Sequence, residues 1–389
     1  MANRRVVITG MGTVNPLAHD VESFWQRLLE GQTGIRRIAR FDPAPFSSQI
    51  GGEVIDWAGV PESFVDKREA KRLDRFAAFA AFAAIEAVAA SGIDFAAADK
   101  SRCGTMIGSG IGGLETLETQ HEVMMAKGPG RISPFTVPKL MGNAAAGNVA
   151  ILWGLTGPSS SVATACASAG NAIGDACRLI QHGRTDVMLA GGSEAALTRI
   201  GLASFCALKA LSTRNDDPAH ASRPFDKDRD GFVLAEGAGV VVLEELEHAR
   251  RRGAADAIRL ALLDADIRPE QVDYVNAHGT STELNDASET RAIKAVFGDY
   301  ARHGLLISST KSMVGHLLGA SGGVEIIATV KTLLTGWVHP TVNLDNPAEG
   351  CDLDYCAKQK RRKDVTYAIS NSFGFGGHNV VLAVKKYVE

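Results

Sequence analysis

Short runs of β-branched and apolar residues alternate along the chain with longer alanine-rich stretches of helical spacing. Strands are predicted at 6–8, 104–107, 187–190 and 240–243, and helices at 76–90 and 169–181. Such alternation predicts layered α/β packing. Most of the 41 glycines fall where a strand hands over to a helix or turn, and no low-complexity linker interrupts the chain, so its parts are expected to pack together.

The pattern also repeats. The helix beginning SAGNAI at Ser168 and stopping at Gly183 matches one beginning SGGVEI at Ser321 and stopping at Gly336. Residues 84–93 and the strand near Gly104 match 257–267 and the strand at 272–275, and a hairpin-like 231–243 matches 368–384. Three pairs in the same order predict an internal duplication with halves at 1–252 and 253–389. The first half opens with a strand at 6–8, whereas the second offers only GAADA at 253–257, so its opening strand is missing from the sequence.

Composition narrows the class. The 389 residues are 45% hydrophobic and 22% charged, which fits a folded protein and not a disordered one. A net charge of -3 with a pI near 6.4 gives no global attraction to nucleic acid or to an anionic membrane. No apolar stretch is long enough to span a bilayer, and the first residues do not resemble a secretory signal. The six cysteines show neither CxxC pairs nor regular spacing, which argues against zinc or a disulfide framework and for a reduced, cytoplasmic setting.

Candidate chemistry sits at the strand-to-helix junctions. Cys166 lies in VATACASAG (162–170), where a small-residue turn feeds a helix; a thiol there feels the positive end of the helix dipole, which favours the thiolate. Taken alone it reads equally as a nucleophile or as a small buried hydrophobe. His278 lies in YVNAHGTST (274–282) and His316 in KSMVGHLLG (311–319), each next to glycine at a junction, which favours catalysis over a merely structural histidine. The glycines of NSFGFGGHN (371–379) allow backbone N–H groups to converge on an oxyanion. Two other readings are weaker. GSGIGG (108–113) fits GxGxxG without the surrounding dinucleotide-binding unit, and His278, His316 and His378 lack metal-ligand spacing. Neither a cofactor nor a metal is therefore expected.

Together, TACAS (164–168), NAHGTST (276–282), KSMVGH (311–316) and NSFGFGG (371–377) resemble the β-ketoacyl-acyl carrier protein synthases of type II fatty-acid synthesis, and TRND (213–216) and SRPFDKDRDG (222–231) extend the likeness over nearly the whole chain. The resemblance implies a thiolase-like fold of two similar halves, layered αβαβα, and a homodimer that elongates acyl chains by condensation with malonyl-acyl carrier protein. It puts the nucleophile on Cys166 and the decarboxylation histidines on His278 and His316. It further implies a supporting Lys311–Glu289 pair, pantetheine contacts at Thr280 and Thr282, and a gate at Phe375 whose N–H joins that of Cys166 in the oxyanion hole. Ile111 and Thr136 are expected beside the acyl chain, and Lys67, Arg68, Lys71, Arg72, Arg131 and Arg214 are candidates for docking the acidic carrier, although 67–72 also reads as a solvated helix face. The glycine-rich segment 373–379 has no second cysteine, which excludes a degradative thiolase. A polyketide-type ketosynthase and a non-catalytic partner subunit are the remaining alternatives; the latter is expected to lack the nucleophile. Departures from the pattern are the missing segment, Glu283 where proline is usual, and Thr136 where an aromatic is common.

Overall fold

The computed structural model describes residues 4–251 and 268–387. The first sheet contains β1 (Val6–Val14), β2 (Cys103–Gly108), β3 (Ser159–Val162), β4 (Val187–Glu194) and β5 (Gly237–Glu245), in the order β1-β5-β4-β2-β3. The β1-β5 and β5-β4 pairs are antiparallel, and the β4-β2 and β2-β3 pairs are parallel. The second sheet contains β6 (Tyr274–Asn276), β7 (Leu306–Ser308), β8 (Tyr367–Gly374) and β9 (His378–Lys385), in the order β9-β8-β6-β7. Its pairs run antiparallel, parallel, parallel, which repeats the β5-β4-β2-β3 part of the first sheet. The duplication is therefore present in the topology.

One matched pair needs correction. The first-half counterpart of the tight β8-β9 hairpin is not a hairpin at 231–243. It is the β4-β5 pair, whose strands are separated in sequence by the long excursion 195–236. That insertion hides the repeat from a search for tight turns. The expected absence of an opening strand falls on residues outside the described ones. Among the described residues, no strand covers the edge of β9 that corresponds to the edge of β5 covered by β1.

Helices complete five layers. On the outer face of the first sheet pack α1 (Arg75–Ser91) and α2 (Ala144–Trp153). Burying Phe76, Phe79 and a row of alanines, α1 lies close against β1, as small side chains permit. Between the sheets lie α3 (Ser168–Gln181) and α5 (Ser321–Thr335), the repeated helices, each touching both sheets. Outside the second sheet, α4 (Glu283–Phe297) contributes Ile293 and Phe297 to a core with Val275 and Ile307. This is the αβαβα order expected.

The middle layer is tight enough to forbid side chains. A Cβ added at Gly239 in β5 would lie 2.3 Å from the Gly323 carbonyl carbon in α5. Gly239→Ala is expected to destabilise the fold by roughly 1–3 kcal/mol, read from the urea midpoint at unchanged m-value. An unchanged midpoint would contradict backbone-to-backbone packing at this site.

Candidate active site

Each middle-layer helix is entered through the same local structure. A turn at Ala165–Ala167 precedes α3, and one at Leu318–Ala320 precedes α5. Each opens on a non-glycine residue in the left-handed region, Ala165 at φ 49° and Leu318 at φ 47°. Such residues cost roughly 1–2 kcal/mol and persist only where the surroundings impose them. In the first turn Ser168 accepts from Thr164 N (2.9 Å) and donates to Ala165 O (2.7 Å), which pins the loop around Cys166.

Cys166 opens onto a cavity of about 580 Å³ that His278, His316, Thr280, Thr282, Phe232, Phe373 and Phe375 also line. Its side chain is nearly enclosed, the residue being 3% exposed. The backbone N–H groups of Phe375 and of Cys166 itself lie close enough to the sulfur to act on the thiol, as an oxyanion hole requires. Their convergence depends on Gly374, where a Cβ would come within 2.8 Å of Thr164 O. Gly376 and Gly377, at φ 84° and 82°, then turn the chain into β9. One expectation fails here: despite the helix N-terminus, the thiol is held above its ordinary value. Burial raises it more than Lys311 and the two N–H groups lower it.

The histidines follow β6 and the short helix Lys311–Val314. Their rings stand 5.4 Å apart and nearly perpendicular. Lys311 Nζ lies 3.2 Å from Nδ1 of His278, and an ammonium can only donate, so Nδ1 accepts and the proton sits on Nε2. In His316, Nδ1 accepts the N–H of Leu318 (3.3 Å) and lies 2.9 Å from Ser321 Oγ, which assigns the same tautomer. Burial, followed by the charge of Lys311, holds both rings well below their ordinary pKa. Both are neutral at pH 7, and each has an Nε2–H to donate.

The supporting pair is not the one expected. Lys311 forms its ion pair with Glu325, a residue of α5 that the sequence motifs did not mark. Glu289 instead accepts the backbone N–H groups of His278 (2.8 Å) and Gly279 (2.9 Å) and the side-chain amide of Asn371 (3.1 Å), so it fixes the loop that carries His278. Burial pushes both carboxyls up, against these donors. Nearby, the buried oxygens Asn276 Oδ1, Ser370 Oγ, Asn371 Oδ1 and Glu325 Oε2 have no hydrogen-bond partner within the protein. Among the described residues, no group of three or more His, Cys, Asp or Glu is arranged to hold a metal, and His378 lies exposed at the start of β9.

The remaining candidates separate. Thr280 and Thr282 share a hydrogen bond (2.9 Å) on the cavity wall, with Asp286 holding the Thr280 N–H (3.1 Å). Phe375 is 60% exposed at the mouth, beside Leu208, Lys209, Arg229, Glu283 and Leu284. Ile111 and Thr136 do not line this cavity; Thr136 borders a separate one of about 380 Å³ with Lys71, Asp74 and Glu115. Ile111 follows the glycine-rich turn after β2, whose N–H groups at Gly110 and Ile111 are spent on the Glu194 carboxylate and cannot cradle a pyrophosphate. Lys67 and Arg68 lie on the short exposed helix Lys67–Ala70, followed by Lys71 and Arg72. Lys67 pairs with Glu62 (3.1 Å) and Arg72 with Glu69 (2.5 Å). Arg131 is exposed, and half-buried Arg214 donates to Asp228 O (3.1 Å).

Comparison with known proteins agrees with this geometry. Residues 3–249 match the family described as the N-terminal domain of beta-ketoacyl synthase, and residues 243–345 match its C-terminal domain. The chain is 48% identical to a 3-oxoacyl-[acyl-carrier-protein] synthase 2 of Synechocystis and 46% identical to one of Vibrio harveyi, with full coverage of both partners in each case. The Synechocystis alignment runs over 418 positions against the 389 residues of this chain. Among solved structures, a ketosynthase in complex with its type II polyketide acyl-carrier protein superposes with a TM-score of 0.90 at 33% identity, covering 99% of this chain and all of the other. A beta-ketoacyl synthase from Burkholderia phymatum gives 0.89 at 32%, with the same coverage. The chain thus belongs to the β-ketoacyl synthase family, the condensing acyltransferases of thiolase-like fold.

Proposed function

We propose that the protein elongates acyl chains carried on acyl carrier protein, with Cys166 as nucleophile and His278 and His316 as the decarboxylation pair. The observation that carries this reading is that one thiol and two neutral Nε2–H donors share a single cavity. The first step forms a bond between Cys166 Sγ and the acyl carbonyl carbon. The resulting oxyanion lies against the N–H groups of Cys166 and Phe375, and the C–S bond to the carrier then breaks, with the thiol proton leaving on the carrier thiol. Because the free thiol stays protonated at neutral pH, proton transfer accompanies attack.

In the second step malonyl-carrier loses carbon dioxide. The electron pair of the broken C–C bond delocalises onto the thioester oxygen, where the two Nε2–H groups stabilise it, each by roughly 3–4 kcal/mol on the scale of oxyanion donors. A charged imidazolium would hold that oxygen too, but it would protonate the enolate and quench it. The enolate carbon attacks the Cys166 thioester, the C–S bond breaks, and a 3-ketoacyl-carrier longer by two carbons departs. Thr280 and Thr282, on the wall between mouth and histidines, are assigned to the pantetheine arm. Identity of 46–48% to 3-oxoacyl-carrier synthases, against 33% to the polyketide ketosynthase, supports the fatty-acid form of the reaction.

The carrier is assigned to the basic residues Lys67, Arg68, Lys71, Arg72, Arg131 and Arg214. Support comes from charge complementarity to an acidic partner and from the exposure of the Lys67–Ala70 helix. A homodimer is assigned to the β3 edge of the first sheet, where Leu117, Met125, Val137, Met141 and Ile151 are exposed. The division into halves at Arg252/Gly253 and a cytoplasmic location belong to the same proposal.

Two measurements test it. Incubation with acyl-carrier protein is expected to add one acyl mass to the peptide containing Cys166, and none in Cys166→Ala; a folded wild-type protein without adduct would favour a non-catalytic partner subunit. Reversing charge at Lys67 and Lys71 to Glu is expected to raise KM for carrier-bound substrate about tenfold with kcat unchanged, and the effect is expected to shrink with added salt. An unchanged KM would remove this helix from the docking face.

A further inference from the structure

The two equivalent turns end differently. In the first, the central residue is Cys166, and its N–H serves the sulfur and the oxyanion. In the second, the central residue is Gly319, and its N–H is taken by the carboxylate of Glu194, the last residue of β4 (3.1 Å). Glu194 is fully buried, and all of its contacts are donors: Ser109 Oγ (3.0 Å) and Ile111 N (3.2 Å) to Oε1, and Gly110 N (2.6 Å) and Gly319 N to Oε2. A proton on Oε2 would face the N–H groups of Gly110 and Gly319, and one on Oε1 that of Ile111, so three obligate donors favour the carboxylate, although burial pushes the group up.

Neither glycine beside the carboxylate leaves room for a side chain. A Cβ at Gly319 would stand 2.3 Å from Gly110 N and 2.7 Å from the Glu194 carboxylate, and one at Gly110 would stand 2.9 Å from the same oxygen. The carboxylate therefore joins a turn of the first half, at 109–111, to a turn of the second. The second turn also contains Leu318, whose N–H occupies Nδ1 of His316. Gly319 is the next residue, so the clamp that holds its N–H also sets the direction of the N–H that fixes the His316 tautomer.

We propose that Glu194 is a positioning residue for condensation: without touching substrate, it locks the Leu318–Ala320 turn so that His316 presents Nε2–H to the thioester oxygen. This rests on the assignment of His316 to decarboxylation. Replacing the carboxylate by an amide sets an NH2 group against the N–H groups of Gly110 and Gly319 in one orientation or against that of Ile111 in the other, which weakens the clamp on the turn and lets the His316 proton move to Nδ1.

The experiment measures two steps separately in Glu194→Gln: acylation of Cys166 by intact mass, and release of carbon dioxide from malonyl-acyl carrier protein. Decarboxylation is expected to fall about 10–100-fold, the range for loss of a group that orients a catalytic histidine, with acylation no slower than in wild type, because the Glu194 charge helps to hold the Cys166 thiol up. In Ser109→Ala, which leaves three donors, the same ratio is expected to shift by a smaller amount. An unchanged ratio, or equal loss in both steps, would overturn the proposal. If Glu194→Gln does not fold, Ser109→Ala decides by the same ratio. Wild-type protein that neither acylates nor decarboxylates would instead overturn the functional assignment beneath it.

Discussion

Lys311 is buried with its ammonium between the Glu325 carboxylate and Nδ1 of His278. Taking that charge out of water costs several kcal/mol, and removing either member of such a pair typically costs about 3–5 kcal/mol. What the buried cation supplies is a fixed donor and a fixed field. The donor assigns the His278 proton to Nε2, and the field, added to burial, keeps both imidazoles neutral. Glu325 in turn stands on α5, whose N-terminal turn leads out of the His316 loop, so the cation ties the middle layer of the fold to the chemistry.

The duplicated architecture explains why the site lies where it does. Two helices between two sheets each begin at a strained turn, and the β8-β9 hairpin closes over the first of them at Gly374. The two halves then diverged in what each turn holds: a thiol in one, a clamped glycine in the other. Carboxylates without substrate contact, namely Glu289, Asp286 and Glu194, spend their oxygens on backbone N–H groups of the loops that carry the reacting residues. Buried acceptors of this kind hold loops rigid, because releasing them would leave unpaired donors in the interior.

Much of this was legible in the sequence, and the misses have physical reasons. Cys166, His278, His316 and Phe375 stand in short glycine-flanked motifs whose local geometry is their function, and all four meet in one cavity. Glu325 escaped because its partner lies 14 positions away, one helix further on. A signal existed, since it is the only acid in the helix Ser321–Thr335 and stands between the apolar Val324 and Ile326. The helix-dipole argument for Cys166 followed a true local effect but could not weigh desolvation, which depends on packing from distant segments. Ile111 and Thr136 were placed by resemblance, and nothing in their neighbours in sequence says which cavity they border. The pairing of β4 with β5 across residues 195–236 is a tertiary fact that hairpin logic does not reach.

The central claim is that catalysis rests on two neutral imidazoles with protons fixed on Nε2. The most direct measurement is ¹⁵N NMR of histidine-labelled protein between about pH 5.5 and 8, with single-site variants to assign His278 and His316. The account predicts the neutral Nε2–H pattern for both rings with no titration across that range, below the ordinary value of 6.5. A ring that titrates near 6.5, or carries its proton on Nδ1, would contradict it.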